Sequence, residues 1–206
     1  MDFNSSQTRI NLMRAFAGES QARNRYTFAA ETLKQQGWYF LYNIFTLTAN
    51  QEKAHAKIFY DHLKNLNGSP VEIPQAAYPV DNYDNAEQLL RAAQHNEYGE
   101  SDDVYPEFAR IAREEGFPEV AFSFEKIALI EKEHGERFSC LAELMEKSKM
   151  FSGEKDTEWF CLNCGHIHKG PAVPEHCPVC SSDRGYFVPF KYYKLIAEKY
   201  GLPVME

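Results

Sequence analysis

Four amphipathic stretches of this chain place glutamates where a protein core should be. In "TANQEKAHAKIF", Glu52 and His55 lie three residues apart, and "ALIEKEHGERF" repeats the pattern with Glu131 and His134. An ionised carboxylate in an apolar interior costs several kcal/mol unless something compensates it, so this placement restricts the fold more than any other feature. The neighbouring residues set the helix phase. Leu41, Phe45, Thr48, Glu52, His55, Phe59, His62 and Leu66 recur at alternating spacings of four and three, as do Val120, Phe124, Ile127, Glu131, His134, Phe138, Leu141 and Met145. Such stripes are the inward seams of bundle helices. Two more stripes carry acids at mid-length: Leu12, Phe16, Glu19, Ala22, Tyr26, Ala30 and Leu33, and then Ala86, Leu90, Ala93, Glu97, Glu100, Val104, Phe108 and Ile111.

Residues 5–148 are rich in helix formers, and the pattern predicts helices over 5–35, 39–66, 84–115 and 118–148. Gly37 and Gly116 close two of them and Pro118 opens the last. Pro106, inside the third, removes a helical hydrogen bond and predicts a kink or bulge. Glu19 precedes Glu52 by 33 residues and Glu97 precedes Glu131 by 34, which reads as two similar helix hairpins. Residues 67–83, with three prolines, reach about 55 Å when extended, enough to run the length of helices roughly 40 Å long. The expected fold is mainly α: a four-helix bundle with one long crossover over residues 1–148. Residues 149–157 read as a linker. Residues 158–206 read as a small β-rich metal-binding module ending in the tail "KYYKLIAEKYGLPVME".

Antiparallel packing brings Glu19, Glu52, Glu97, Glu100 and Glu131 to one level with His55 and His134. The seams hold too few cations to neutralise five carboxylates, and divalent metal resolves the conflict. A Glu from each of two helices and a Glu-x-x-His from each of the other two is the di-iron or di-manganese carboxylate pattern. Five carboxylates leave a net charge of −1 around two ferrous ions and +1 around two ferric ions, so the site tolerates both states. Hard oxygen ligands favour the ferric ion over softer metals. Separately, Cys161-x2-Cys164 and Cys177-x2-Cys180 make two knuckles that supply four thiolates to one tetrahedral ion. Spacing does not choose between a structural zinc and a redox-active iron, and zinc is the commoner outcome. The 206 residues carry a net charge of −8 and no basic stripe, which argues against nucleic acid and anionic membrane as partners. With no apolar run of about 18 residues and no signal-peptide core, a cytoplasmic location is expected.

The chain resembles the rubrerythrin family along nearly its whole length. The shared residues are Glu19 in "AGESQARNRY", Glu52 and His55 in "NQEKAH", Glu97 and Glu100 in "NEYGESDDVYPEFARIAREEG", Glu131 and His134 in "IEKEHGERF", and the closing "CLNCG" and "CPVC". The resemblance implies a ferritin-like domain with a non-haem di-iron site and a rubredoxin-like domain with one iron on Cys161, Cys164, Cys177 and Cys180. It implies a peroxidase of oxidative-stress defence that reduces hydrogen peroxide to water. Electrons would come from an NAD(P)H-dependent rubredoxin reductase or a separate rubredoxin. It also implies a head-to-tail homodimer. In the family's scheme Glu19 and Glu97 are terminal ligands, Glu52 and Glu131 bridge, and His134 binds one iron. Glu100 and His55 alternate on the other iron. Tyr26 and Tyr105 look like hydrogen-bond donors to the ligands. One departure is Ser181, which follows the second knuckle where rubredoxins commonly have glycine. The rival readings are an iron-oxidising or iron-storage ferritin relative and a zinc-ribbon docking protein.

Overall fold

The computed structural model describes residues 1–74 and 76–191. Among them the α-helices are α1 (Gln7–Gln35), α2 (Tyr39–His62), α3 (Ala86–Gly99), α4 (Tyr105–Glu115) and α5 (Pro118–Glu146). By internal contacts the chain forms two units. One joins Met1–Ala29 to Phe45–Ala142, and the other joins Ala30–Ile44 to the described residues from Glu143 onward. The division thus differs from the compositional one, because the α1–α2 turn packs with the C-terminal residues.

In the first unit α1 lies antiparallel to α3 and α4, as side-chain contacts from Thr8 to Glu115, Glu19 to Tyr105 and Tyr26 to Glu97 require. Likewise α2 lies antiparallel to α5, with Thr48 beside Arg137 and His62 beside Ser123. The long crossover after α2 is clipped to α1. Arg14 Nη2 donates to Pro74 O at 2.6 Å, Tyr78 Oη donates to Arg14 O at 3.1 Å, and Arg25 Nη1 lies 2.5 Å from Asp81 Oδ2. Asn96 of α3 donates to the same Asp81 oxygen at 2.7 Å. The expected seams of α2 and α5 are buried from Leu41 to Phe59 and from Val120 to Leu141.

The third expected helix is not uniform. Between α3 and α4 the chain makes a π-helical segment, Glu100–Val104. Pro106 has no N–H, and its ring would crowd the carbonyl four residues back in an α-turn; a wider π-turn just before it relieves both problems. The segment takes up one extra residue, so the inward stripe advances by one. Val104, expected on the seam, is 39% exposed, whereas Tyr105 is 1% exposed and is followed inward by Ala109 and Ala112.

The second unit contains an antiparallel sheet in the order β2-β1-β3, with β1 at Glu158–Cys161, β2 at Ile167–Lys169 and β3 at Phe187–Pro189. Its core is Trp159, Cys161, Cys177 and Phe187. Residues 149–157 are packed rather than free-running: Met150 is buried, Phe151 stacks on Trp38, and Ser152 bridges to Ala172. Gly185 meets the α1–α2 turn so closely that a Cβ would fall 1.6 Å from Gly37 O, a position only glycine can fill. The expected tail element lies at residues 192–206, outside the described residues. No described helix is long and apolar enough to cross a membrane.

The start of α1 is capped from a distance. Glu115 Oε1 accepts from Gln7 N at 2.9 Å, and Oε2 accepts from Thr8 N and Thr8 Oγ1 at 2.8 and 2.6 Å. Partial burial pushes this carboxyl upward, but those hydrogen bonds outweigh it and hold the pKa below the ordinary value. Its stabilisation is therefore full above the unfolded pKa of about 4.3 and disappears as pH falls through the lower folded value. Glu115→Gln is expected to cost about 1 kcal/mol at neutral pH. In denaturant titrations the gap from wild type should close below about pH 4.

Candidate metal centres

Each carboxylate of the bundle reaches the interior because its helix places it on the seam at mid-length. Glu19 comes from α1, Glu52 and His55 from α2, Glu97 from α3, and Glu131 and His134 from α5. All six are buried. Their ligand atoms form two groups of four, each within 4.8 Å: Glu19, Glu52, His55 and Glu131, and then Glu52, Glu97, Glu131 and His134. His55 Nδ1 lies 2.7 Å from Glu131 Oε1, 3.1 Å from Glu52 Oε2 and 3.8 Å from Glu19 Oε2. His134 Nδ1 lies 2.8 Å from Glu131 Oε2, 3.2 Å from Glu52 Oε1 and 3.6 Å from Glu97 Oε2. Glu52 and Glu131 thus give one oxygen to each group, whereas Glu19 and Glu97 each serve a single group.

The outer oxygens of the single-group glutamates are also occupied in pairs. Tyr105 Oη donates to Glu19 Oε1, and Tyr26 Oη donates to Glu97 Oε1. Tyr26 follows Glu19 by seven residues, whereas Tyr105 follows Glu97 by eight. The π segment absorbs the difference, so the two halves of the site match despite unequal spacing. The bulge signalled by Pro106 therefore sets the register of Tyr105. Sequence periodicity alone put Val104 there; the unequal spacing, read with Pro106, was the available clue.

A metal pair fits this box. Glu19 Oε2, Glu52 Oε1, Glu97 Oε2, both oxygens of Glu131 and both ring nitrogens of His134 are buried without a hydrogen-bond partner. Atoms that converge at 2.7–3.8 Å yet bond to little else are aimed at a shared centre, and orphaned buried polar atoms otherwise cost about 1–3 kcal/mol each. Burial and then the Glu131 charge push the Glu19 carboxyl well up, and burial with Glu52 and Glu131 carries Glu97 to about 8. His55 and His134 counter this as cations. Burial works against their charge, but the facing carboxylates prevail, raising His55 strongly and His134 to about 11. Burial opposes ionisation of Glu52 too, yet the imidazoles of His134 and His55 beside it bring it to about 2.

Glu100 stands apart from both groups. It lies in the π segment, half-buried, on the wall of a cavity of about 390 Å³ shared with Tyr105 and Gly18. In this arrangement His55, not Glu100, occupies the position beside Glu19. One determinant escaped sequence reasoning. Gly135 lets α5 approach α3 at the level of the site, and a Cβ there would fall 2.7 Å from the Tyr98 ring.

The four clustered cysteines also converge. Their sulfurs lie within 4.8 Å of one another, with Cys161 to Cys180 at 3.8 Å and Cys164 to Cys177 at 3.7 Å. A tetrahedral ion with bonds of about 2.3 Å spaces its sulfurs about 3.8 Å apart, so these thiols suit one ion. The knuckles are built alike. Gly165 N donates to Cys161 O and Ser181 N to Cys177 O, both at 2.9 Å, and both residues have positive φ, at 78° and 60°. Hydrogen bonds from the Asn163 side chain and then Ser182 pull the Cys180 thiol down to about 5.

A ferritin-like bundle holding a buried carboxylate–histidine box, together with a small sheet holding a four-cysteine site, defines the di-iron carboxylate proteins that carry a rubredoxin-like module. Comparison with known proteins agrees. The family profile described as Rubrerythrin matches residues 11–142, and that described as Rubrerythrin, rubredoxin-like domain matches residues 159–188. The chain belongs to the rubrerythrin family. It is 44% identical to Rubrerythrin-1 of Clostridium acetobutylicum over 88% of this chain and 93% of that one. It is 45% identical to the rubrerythrin of Clostridium perfringens over 90% and 95%. The solved structure of fully reduced, all-ferrous nigerythrin is similar at TM-score 0.60, with 29% identity over 91% of each chain. A Desulfovibrio desulfuricans bacterioferritin, at 20% identity and TM-score 0.60, shares the fold. The protein therefore has a di-iron carboxylate site and a rubredoxin-like four-cysteine iron site, and its family membership supports a peroxide-reducing role in oxidative stress.

Two outcomes follow from this geometry. His55 and His134 hold protons in the metal-free chain at neutral pH, so iron must displace them. Ferrous loading is expected to release protons in a pH-stat, and the apparent affinity should fall between about pH 8 and pH 6; loading without proton release would contradict the assignment. At the second site, Ser181 holds a left-handed conformation that costs a non-glycine residue roughly 1–2 kcal/mol, part of which glycine's extra unfolded-state entropy cancels. Ser181→Gly is expected to stabilise the four-cysteine unit by up to about 1 kcal/mol, measured as the denaturant midpoint of its visible absorption.

Proposed function

We propose that the protein reduces hydrogen peroxide to water, with electrons passed through its own tetrathiolate iron from an NAD(P)H-dependent rubredoxin reductase, directly or by way of a separate rubredoxin. The observation that carries this reading is the pairing of two metal positions in one buried box with a one-electron tetrathiolate centre in the same chain. When bound, the iron pair supplies two electrons to one O–O bond and the tetrathiolate iron restores them singly.

The remaining roles belong to the chain's residues. Glu52 and Glu131 would hold both metal positions through separate oxygens, Glu19 would serve one and Glu97 with His134 the other. Glu100 and His55 are the alternative occupants of the Glu19 side: an anion suited to a ferric ion and a neutral imidazole suited to a ferrous one. Burial and the Glu97 and Glu19 charges keep the Tyr26 and Tyr105 hydroxyls protonated, so each continues to donate to its glutamate and to fix its orientation. Buried Phe45 and Phe138 pack against Tyr26, and buried Phe59 and Phe124 against Tyr105, so both tyrosines sit in apolar surroundings.

A cytoplasmic, head-to-tail homodimer completes the reading. Clustered thiols suit a reducing compartment. The outer faces of α2 and α5 expose Leu47, Ile58, Phe122 and Leu129, apolar surface that suits a second subunit.

Metal analysis with peroxide titration tests the proposal. The expected result is about three irons per chain, two on the carboxylate box and one on the thiolates. Stoichiometric hydrogen peroxide should reoxidise the anaerobically reduced protein, and it should turn over with a reductase. Zinc on the cysteines and an empty box would point to a docking protein, and iron accumulation without turnover to a storage relative. Glu100→Ala should fold normally and lose about 10–100-fold in turnover; unchanged kinetics would remove Glu100 from the scheme.

A further inference from the structure

We propose that the cavity beside Glu100 admits organic hydroperoxides, molecules with a compact apolar body and one hydroperoxide end, as a second substrate class for the same site. This inference rests on the peroxidase reading above. The cavity lies in the bundle unit, between α1, crossover residues 76–79 and the π segment with its flanking helices, and measures about 390 Å³. That falls in the range of about 300–1,000 Å³ typical of small-molecule sites. A water's share of liquid volume is about 30 Å³, so hydrogen peroxide would leave most of this space unused.

The lining explains what the remainder can hold. Ala15, Ala77, Tyr78, Pro79, Val104 and Phe108 present carbon to it. Four of the polar residues that reach it bond within the protein, although Arg14 Nε has no hydrogen-bond partner. Gln21 bonds Gly18 O and Arg25, Asn96 bonds Asp81, Arg14 bonds Pro74 O, and the Tyr105 hydroxyl donates to Glu19. What remains is a chamber lined in larger part by carbon, with His95 and the Glu100 carboxyl on its wall, and Tyr105 there touches the Glu19 side of the metal box. The wall at Gly18 is uncrowded: a Cβ at this position would meet nothing nearer than Tyr78 Cε1 at 3.7 Å. The Arg14, Tyr78 and Asp81 contacts hold the crossover over this face. An apolar body against the alanines and Phe108 leaves its hydroperoxide end toward Glu100.

The reaction balances with the same reductant. The O–O bond of ROOH breaks on uptake of two electrons and two protons. The terminal oxygen leaves as water and the other stays on carbon as the alcohol ROH, with electrons drawn from the NAD(P)H-linked supply through the tetrathiolate centre.

The test compares cumene hydroperoxide with hydrogen peroxide on the iron-loaded, full-length protein and on Ala77→Trp, which fills the chamber from its exposed crossover. Calorimetric titration of the same iron-loaded proteins with 2-phenylpropan-2-ol, the product alcohol, gives a readout independent of turnover. Both peroxides are expected to be reduced by wild type. In Ala77→Trp, kcat/KM for cumene hydroperoxide should fall about tenfold or more relative to that for hydrogen peroxide, and the heat of alcohol binding should vanish. Tyr78→Ala, which widens the chamber, should shift the ratio the other way. Hydrogen peroxide turnover without cumene hydroperoxide turnover overturns the inference and spares the peroxidase reading. So does a proportional loss of both substrates in Ala77→Trp. Failure of wild type on both substrates removes the peroxidase reading and this inference with it.

Discussion

Repulsion among buried carboxylates governs this molecule. Glu19, Glu52, Glu97 and Glu131 sit on four helices at one level, and seven polar atoms of the box lack any hydrogen-bond partner. No arrangement of apolar side chains offsets that charge. Without metal, His55 and His134 must carry protons well above the ordinary imidazole range, pinned between acids. Metal ions supply more positive charge in the same space and satisfy the orphaned lone pairs at once. Folding and metal binding therefore draw on one interaction, and the apolar rings around it serve mainly to keep water from weakening it.

The box has a two-fold character that the fold works to preserve. Each half contains one single-group glutamate, one histidine and one oxygen from each shared glutamate, and in each half a tyrosine from an adjacent helix holds the outer oxygen. Duplicate helix hairpins explain the ligand spacing, but not the extra residue between Glu97 and Tyr105. The π segment at Glu100–Val104 removes that residue from the seam. In doing so it gives Glu100 a place outside the box and opens the chamber beside it. A single proline, Pro106, thus bears on the symmetry of the box, on where Glu100 lies and on the chamber beside it.

In the four-cysteine unit, the two knuckles repeat the same backbone path, with Gly165 and Ser181 in matching left-handed positions. Serine tolerates this because it is exposed and its neighbours impose the turn, so the departure from glycine changes local strain rather than the thiolate geometry. Gly185 shows the opposite case, where close approach to Gly37 leaves no room for any side chain.

Much of the site was legible in the sequence because each ligand helix follows one regular period. Once Leu41 to Phe59 and Val120 to Leu141 were seen as seams, Glu52, His55, Glu131 and His134 had to point inward, and two Cys-x-x-Cys pairs could only converge on one ion. Periodicity fails where the period changes. The exchange of Val104 for Tyr105, the closeness of Gly135 to Tyr98, the docking of residues 149–157 and the α1–α2 turn with the C-terminal unit, and the tethered crossover over the Glu100 chamber all depend on contacts between residues far apart in the chain. By itself the sequence determined that Glu19, Glu52, His55, Glu97, Glu131 and His134 turn inward and which helices carry them, since both follow from local spacing. Only the tertiary structure decided which oxygen faces which metal position, which tyrosine holds which glutamate, and that His55 rather than Glu100 lies beside Glu19, because those choices are made between helices, where no local rule operates.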